Sequence, residues 1–345
     1  VTVESSLVVP PEIEAAIEAD PDDPAAYLVY ADWLQARGDP LGELIVVQAR
    51  RAEERDDSVR ARLVAREKEL FVENRERWLG ELAEFEEEWP FEWHCGFLRS
   101  VAISTPYGAE AVRALRRAPA ARFLRYLDLN VADRPPPSSW LDARQATDVI
   151  GAMAEVGIPE TVRTLRFGVG VLPEFARTID FSSLHRWWQH VEALYIDDAP
   201  DVLGTMDLPR LRILQIDGYT ESHLQELGGA ALPSLERLEL VGGSSFAPLE
   251  VLRADGLPRL RELCLRTHSE RAGEESVRAL LRWPWLRELV ALHLRCGLDA
   301  AGMRELARRA DELSHLERLD VAGNDVHPDD RERLERVLGD RVDFG

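Results

Sequence analysis

Three places in this sequence combine residue types that could do chemistry. His94-Cys95 joins a potential base to a potential thiolate nucleophile. Such a pair works only with a third group to orient the imidazole and donors for an oxyanion, and the sequence identifies neither. His185 and His190 lie on either side of Trp187-Trp188. Two imidazoles hold zinc only with further ligands, so a packed or solvated loop is expected there. Asp32 stands between Tyr30-Ala31 and Trp33. It could be a binding or catalytic carboxylate, but the expected role is to accept hydrogen bonds from nearby caps or an indole N–H. No H-E-x-x-H, G-x-S-x-G or P-loop occurs. Gly168-Val169-Gly170 is an isolated fragment of a dinucleotide pattern and falls in a turn. The three cysteines, Cys95, Cys264 and Cys296, form no C-x-x-C pair, which indicates reduced thiols rather than a zinc knuckle or a disulfide framework. The expectation is a protein without a catalytic site, metal or cofactor, acting through a surface.

The bulk properties narrow the class of partner. The chain has 345 residues with a formal net charge of -21. Such a molecule repels phosphate backbones, so nucleic acid is excluded as the main partner. The charge either keeps the protein soluble or recruits a basic partner. Lysine occurs only at Lys68 and the other cations are arginines, a bias that fits a GC-rich bacterial genome. No stretch is long and apolar enough to span a membrane, and the first twenty residues lack the basic n-region of a signal peptide. The expected location is cytoplasmic.

The elements that must position these residues start with helices. Glu12 to Glu18 reads as a short one. Asp23-Pro24 and Asp39-Pro40 are start signals, an aspartate cap followed by a proline whose missing N–H costs nothing. The first opens a helix Pro24–Arg37 with Leu28, Ala31 and Leu34 on one side, closed by Gly38 in a left-handed conformation. The second opens a helix burying Leu41, Leu44, Ile45 and Gln48, folded back as a hairpin. Arg50 to Asn74 reads as one amphipathic helix with Leu63, Val64, Leu70 and Phe71 inward. The aromatic run Trp78, Phe85, Trp89, Phe91, Trp93 marks a packed junction between units.

The run Pro21-Asp22-Asp23, Tyr30-Ala31-Asp32-Trp33-Leu34, Arg37-Gly38-Asp39, and Glu43 to Gln48 resembles the repeat-companion domain of myxobacteria and planctomycetes. That family shows P-D-D, L-V-Y-A-D-W-L, R-G-D, a glutamate and a closing glutamine. The resemblance covers about residues 11–50 and departs at Gly42, where a bulkier residue is usual. It implies leucine-rich repeats downstream and carries no activity with it.

The remaining chain repeats. The frame L-x-x-L-x-L, with other apolar residues allowed, occurs at Leu98-Val101-Ile103, Leu124-Leu127-Leu129, Val162-Leu165-Phe167, Val191-Leu194-Ile196 and Leu211-Leu214-Ile216. It continues at Leu235-Leu238-Leu240, Leu260-Leu263-Leu265, Leu289-Leu292-Leu294 and Leu316-Leu319-Val321. The steps between frames are 26, 38, 29, 20, 24, 25, 29 and 27 residues, close to leucine-rich-repeat spacing except the second. That long step holds the insertion Arg134-Pro135-Pro136-Pro137. Each frame reads as a short strand with leucines inward, stacked in parallel on its neighbours. Returns at Glu274–Leu281 and Ala300–Ala310 read as helical, and Gly242-Gly243-Ser244 as irregular. Asn324 sits at the usual asparagine position. Pro328 opens a final helix through Leu338, and a last strand over Val342–Phe344 would complete an ending that resembles the cap of ribonuclease-inhibitor-like repeats.

The expected fold is therefore α/β: an irregular leucine-rich-repeat horseshoe with a parallel concave sheet, preceded by a small all-α domain. The expected units are 1–56 (helical repeat-companion domain), 57–94 (amphipathic helix and aromatic cap) and 95–345 (solenoid with C-terminal cap). The x positions face outward. The central column runs Ala102, Asp128, Arg166, Tyr195, Gln215, Glu239, Cys264, His293, Asp320. The next runs Ser104, Asn130, Gly168, Asp197, Asp217, Val241, Arg266, Arg295, Ala322. The preceding one includes Tyr126, Ile213, Arg237, Glu262 and Arg318. Acidic groups gather towards the middle and arginines 266, 295 and 318 towards the C-terminal end. The expected partner-binding residues are Tyr126, Asp128, Arg166, Tyr195, Asp197, Gln215, Asp217, Arg237, Glu239, Glu262, Arg266, His293, Arg295 and Arg318. The expected function is a scaffold or sensor that docks another protein, possible partners including a co-encoded protease or toxin. The competing readings are an enzyme at the hairpin or concave face and a self-assembling module.

Overall fold

Aspartate caps and prolines start the N-terminal helices where the sequence places them. A computed structural model describes residues 9–86, 91–104, 107–130, 140–168, 184–197, 203–204, 206–242, 252, 257–266 and 272–345. Trp89, the insertion at 134–137, Val169-Gly170 and the return at 243–244 lie outside them. Helix α1 spans Pro11–Ala19, α2 Pro24–Gln35 and α3 Pro40–Glu53. Asp23 accepts from the Ala25 N–H at 2.9 Å, and Asp39 from the Leu41 N–H at 3.0 Å. Gly38 closes the first turn at φ +71°.

Two sequence expectations change here. Leu28 is exposed, and the inward face of α2 is Tyr27, Tyr30, Ala31 and Leu34. The face is rotated because both tyrosine rings pack on the first repeats. Tyr30 stacks on Phe97 at 5.7 Å and meets Phe123 edge-on, as does Tyr27. The segment 50–74 is not one helix. Glu54 turns back onto the N–H groups of Arg55 and Asp56, and Asp56 caps a new helix α4, Asp57–Leu79. These local side-chain bonds compete with helix continuation. In α4 Leu70 is buried while Val64 is exposed.

The repeats form an 11-stranded sheet in sequence order, β1 to β11. β2 (Phe97–Ser104), β3 (Tyr126–Asn130), β4 (Thr164–Gly168), β5 (Ala193–Asp197), β6 (Ile213–Asp217), β7 (Arg237–Val241), β8 (Glu262–Arg266), β9 (Ala291–Arg295), β10 (Arg318–Asp320) and β11 (Val342–Asp343) pair in parallel. All 27 frame residues are 2% exposed or less, so the nine leucine triplets stack into one continuous core. The returns described as helices include α5 (Gly108–Arg117), α6 (Trp140–Val156), Glu274–Arg282 and Ala300–Arg308. A helix is about 10 Å wide and neighbouring strands lie about 4.8 Å apart, so the strand side of the stack is the inner, concave one.

Both ends are closed. At the C-terminus, Asn324 bonds three backbone groups of neighbouring turns: its amide donates to the Leu294 and Val321 carbonyls at 2.6 and 2.7 Å, and its oxygen accepts from the Leu298 N–H at 2.7 Å. Helix Pro328–Leu338 and β11 then cover the last repeat. At the N-terminus, β1 (Phe91–His94) pairs antiparallel with β2, a strand the repeat pattern does not announce. The turn between them carries Cys95 at φ +46° and Gly96 at φ +82°. A side chain at Gly96 would come within 2.6 Å of Ile45. The expected boundary at 94/95 falls inside this turn.

That turn is clamped to the helices by a buried polar chain. The Gly96 N–H donates to Gln48 Oε1 at 2.7 Å, Gln48 Nε2 donates to Glu67 at 2.8 Å, and Glu67 pairs with Arg51 at 2.6 Å. Other residues of this N-terminal helical segment are also used in packing. Glu43 pairs with Arg66, Asp39 with Arg77, and Trp33 lies under the Arg37 guanidinium. The aromatic cluster fills the same junction, with Phe71 against Trp78 and Trp93.

Candidate binding face on the parallel sheet

Strand alternation carries every second side chain away from the leucine core. The register then sets these side chains side by side. Asp128, Arg166, Tyr195, Gln215, Glu239, Cys264 and His293 are consecutive partners across β3 to β9, and Asp320 follows on β10. Asp217, Val241, Arg266 and Arg295 form the next row, and Arg237 and Glu262 adjoin in the preceding one. Tyr126 and Arg318 lie in that preceding row at opposite ends of the sheet.

The charges that the sequence separates into an acidic middle and a basic end are cross-linked in space. Arg166 pairs with Asp197 at 2.6 Å, and Gln215 approaches the same carboxylate at 3.5 Å. Glu239 receives Arg237 at 3.2 Å and Arg266 at 3.1 Å. Arg237 also reaches Glu262 at 3.1 Å. His293 stands between Glu262 (2.9 Å) and Asp320 (3.2 Å), and Arg295 closes on Asp320 at 2.7 Å. Arg318 lies 3.9 Å from Asp343. Asp320 is fully buried. Burial alone would raise its pKa, but bonds from Arg295, the Ala322 N–H and His293 hold it below the usual carboxylate range. Asp320 anchors His293 of its own row and Arg295 of the next, a role visible only once β9 and β10 are known to adjoin. Glu239 and His293 are also buried, whereas Arg266, Arg295 and Arg318 are exposed. Tyr195, Asp128, Asp197, Gln215 and Asp217 are half-buried. So is Tyr126, whose phenol is pushed up by burial and by Asp128.

The residues singled out for chemistry are dispersed. Cys95 is buried and its thiol is pushed up to about 11 by burial, the reverse of what a thiolate nucleophile needs. His94 packs edge-on against Tyr27 at 5.3 Å, and burial followed by Arg99 lowers its pKa. Burial and Glu239 push Cys264 up to about 12. His185 packs against Trp188 while His190 meets the Pro159 carbonyl at 3.1 Å. Asp32 is exposed, and among the described residues its carboxylate meets no cap or indole. Among the described residues no cluster of three metal-ligating side chains occurs, and no helix is long and apolar enough to cross a membrane. An open cleft of about 1100 Å³ lies beside the helical junction, lined by Tyr30, Trp33, Trp78, Arg77, Arg116 and Arg122. Its formation from helices and returns distant in sequence left no signal in the repeat pattern.

These features define a class: a leucine-rich-repeat solenoid with a helical N-terminal region and a polar, arginine-rich concave sheet. A crystal structure of a Bacteroides fragilis protein is similar at 18% identity and a TM-score of 0.51, covering 83% of this chain and 84% of that one. The leucine-rich repeat-containing protein LegL7 from Legionella pneumophila matches at 14% identity and a TM-score of 0.40, over 70% of this chain and 71% of that one. No family model and no curated protein matches the chain.

Proposed function

We propose that this chain is a non-enzymatic protein-binding module that docks another protein on its concave sheet. The observation that carries the reading is the set of adjoining outward rows on β3 to β10, in which Arg166, Tyr195, Arg237, Arg266 and Arg295 stand in register among polar and acidic side chains. Arginine and tyrosine are the side chains that concentrate binding energy at interfaces, and here ion pairs with neighbouring strands orient the arginines beforehand. The helical region acts as a repeat-companion domain that caps the first repeat through Gln48 and the tyrosine face. The finer reading is a cytoplasmic bacterial scaffold or sensor for a co-encoded effector such as a protease or toxin. An enzyme using Cys95 at the hairpin is disfavoured by the raised thiol.

The test is site-specific photocrosslinking in the native host. A crosslinking residue in place of Tyr195 samples the concave face, and one in place of Glu312 samples the opposite side. Protein adducts confined to position 195 are expected. Adducts confined to position 312, or none at either, would overturn the reading.

A further inference from the structure

We infer that the partner segment docking on the C-terminal half of the concave sheet is rich in carboxylates, an acidic segment rather than the basic one that the net charge of this chain would attract. The inference rests on the docking reading above and names the chemistry of its ligand.

The argument is one of depth. Two ion pairs of this half of the sheet are layered, with the anion beneath and the cation above. The Arg295 side chain is 50% exposed over an Asp320 that is 0% exposed. Arg266 is 49% exposed over a Glu239 that is 10% exposed. Arg318 is 58% exposed and touches Asp343 only at 3.9 Å. A partner approaching Arg266 and Arg295 meets guanidinium groups, while Glu239 and Asp320 beneath them are out of reach. Arg266 and Arg295 are register partners whose backbones stand one strand spacing, roughly 4.8 Å, apart, and each leans away from the other, to Glu239 on β7 and to Asp320 on β10. The carboxylates below fix their orientation and offset their charge.

A guanidinium has five N–H donors in a planar fork. Arg295 uses its Nε and one terminal nitrogen on Asp320, and Arg266 gives one terminal nitrogen to Glu239. Among the described residues, donors remain for a second carboxylate. A planar, bidentate acceptor is the group such a fork recognises best. The cost of ordering the arginine side chains is met by the fold before the ligand arrives. A basic ligand would face these cations with their counter-charges already engaged, and so would gain nothing here.

The experiment uses the full chain and three fluorescein-labelled peptides: alternating glutamate and serine, alternating lysine and serine, and alternating glutamine and serine. Binding is read by fluorescence anisotropy at low ionic strength. The glutamate peptide is expected to bind more tightly than the other two. Its binding should weaken about tenfold or more in an Arg266→Gln, Arg295→Gln, Arg318→Gln variant, since several charge pairs are lost together. The matching lysine variant, which keeps the charge and loses the planar fork, should bind between the native protein and the glutamine variant, and an Arg304→Gln, Arg333→Gln variant on the return helices should bind as the native protein does. Should the triple glutamine variant fail to fold, Arg318→Gln alone, which covers no buried carboxylate, must still weaken binding. Preference for the lysine peptide, no preference among the three, or equal loss in the Arg304/Arg333 variant would overturn the inference. Photocrosslinks at position 195 without glutamate-peptide binding would overturn this inference alone. Their absence would overturn the docking reading itself.

Discussion

Replacing Gln48 by methionine tests whether the helical region is fastened to the solenoid by the buried polar chain. Methionine nearly preserves the volume, so the apolar packing around Leu44 and Ile45 is retained and the change is mainly in hydrogen bonding. Two bonds disappear. The Gly96 N–H, which donates to Gln48 at 2.7 Å, is left buried without an acceptor, at a cost of about 1–3 kcal/mol. Glu67, 8% exposed, loses the 2.8 Å amide bond but keeps Arg51 at 2.6 Å. That loss lies at the low end of a charged hydrogen bond, about 1.5 kcal/mol. The expected destabilisation is about 2.5–4.5 kcal/mol. A stacked-repeat protein need not unfold in one step, so a local probe is needed beside the urea curve. Amide hydrogen exchange at Gly96 supplies it and should accelerate at least about tenfold, the equivalent of about 1.4 kcal/mol of local stability. A double variant with Glu67→Met should cost about 1 kcal/mol less than the sum of the single variants, because both sites share one chain of bonds. Unchanged Gly96 exchange together with a urea-midpoint change worth under about 0.5 kcal/mol would refute the clamp.

Three further outcomes follow from the same geometry. Asn324→Ala removes bonds to Leu294, Val321 and Leu298 and should cost about 2–4 kcal/mol, seen as early proteolysis confined to the last two repeats. Gly157→Ala should cost about 2–4 kcal/mol in thermal or urea unfolding, because the residue sits at φ +72° and its new Cβ would lie 2.5 Å from the Trp187 ring. Asp320 has a depressed pKa, so its contribution is present above the unfolded value of about 3.9 and is lost as pH falls through the folded value. The stability gap between the native protein and Asp320→Asn should therefore be widest at neutral pH and should narrow progressively below about pH 4, measured by urea midpoints across that range.

How far the residues disclosed the structure depended on the distance over which each interaction acts. The frame triplets were legible because strand alternation is local. Leu214 and Ile216 must point the same way whatever surrounds them, and nine copies of the frame leave one stacking register. The caps at Asp23 and Asp39 were legible because donor and acceptor lie within two residues. The break at Glu54 to Asp56 rests on bonds equally local, yet the apolar spacing from Leu63 to Phe71 suggested a longer helix and masked it. On α2 the inward residues were misread at Leu28, because the direction of the helix face is decided by Phe97 and Phe123, many residues away.

By itself, the sequence determined the repeat architecture, the order of the strands, the closing helix and strand, and which columns of side chains leave the core. These follow from periodicity, which each short segment carries within itself. Only the tertiary structure decided which charge lies above which. Asp320 and Arg295 are 25 residues apart in sequence and Glu239 and Arg266 are 27 apart, yet each pair meets across adjoining strands. Composition counts these charges as equals. Depth within the sheet separates them, because the short carboxylates remain at the strand surface while the longer arginine stems carry their guanidinium groups out to solvent.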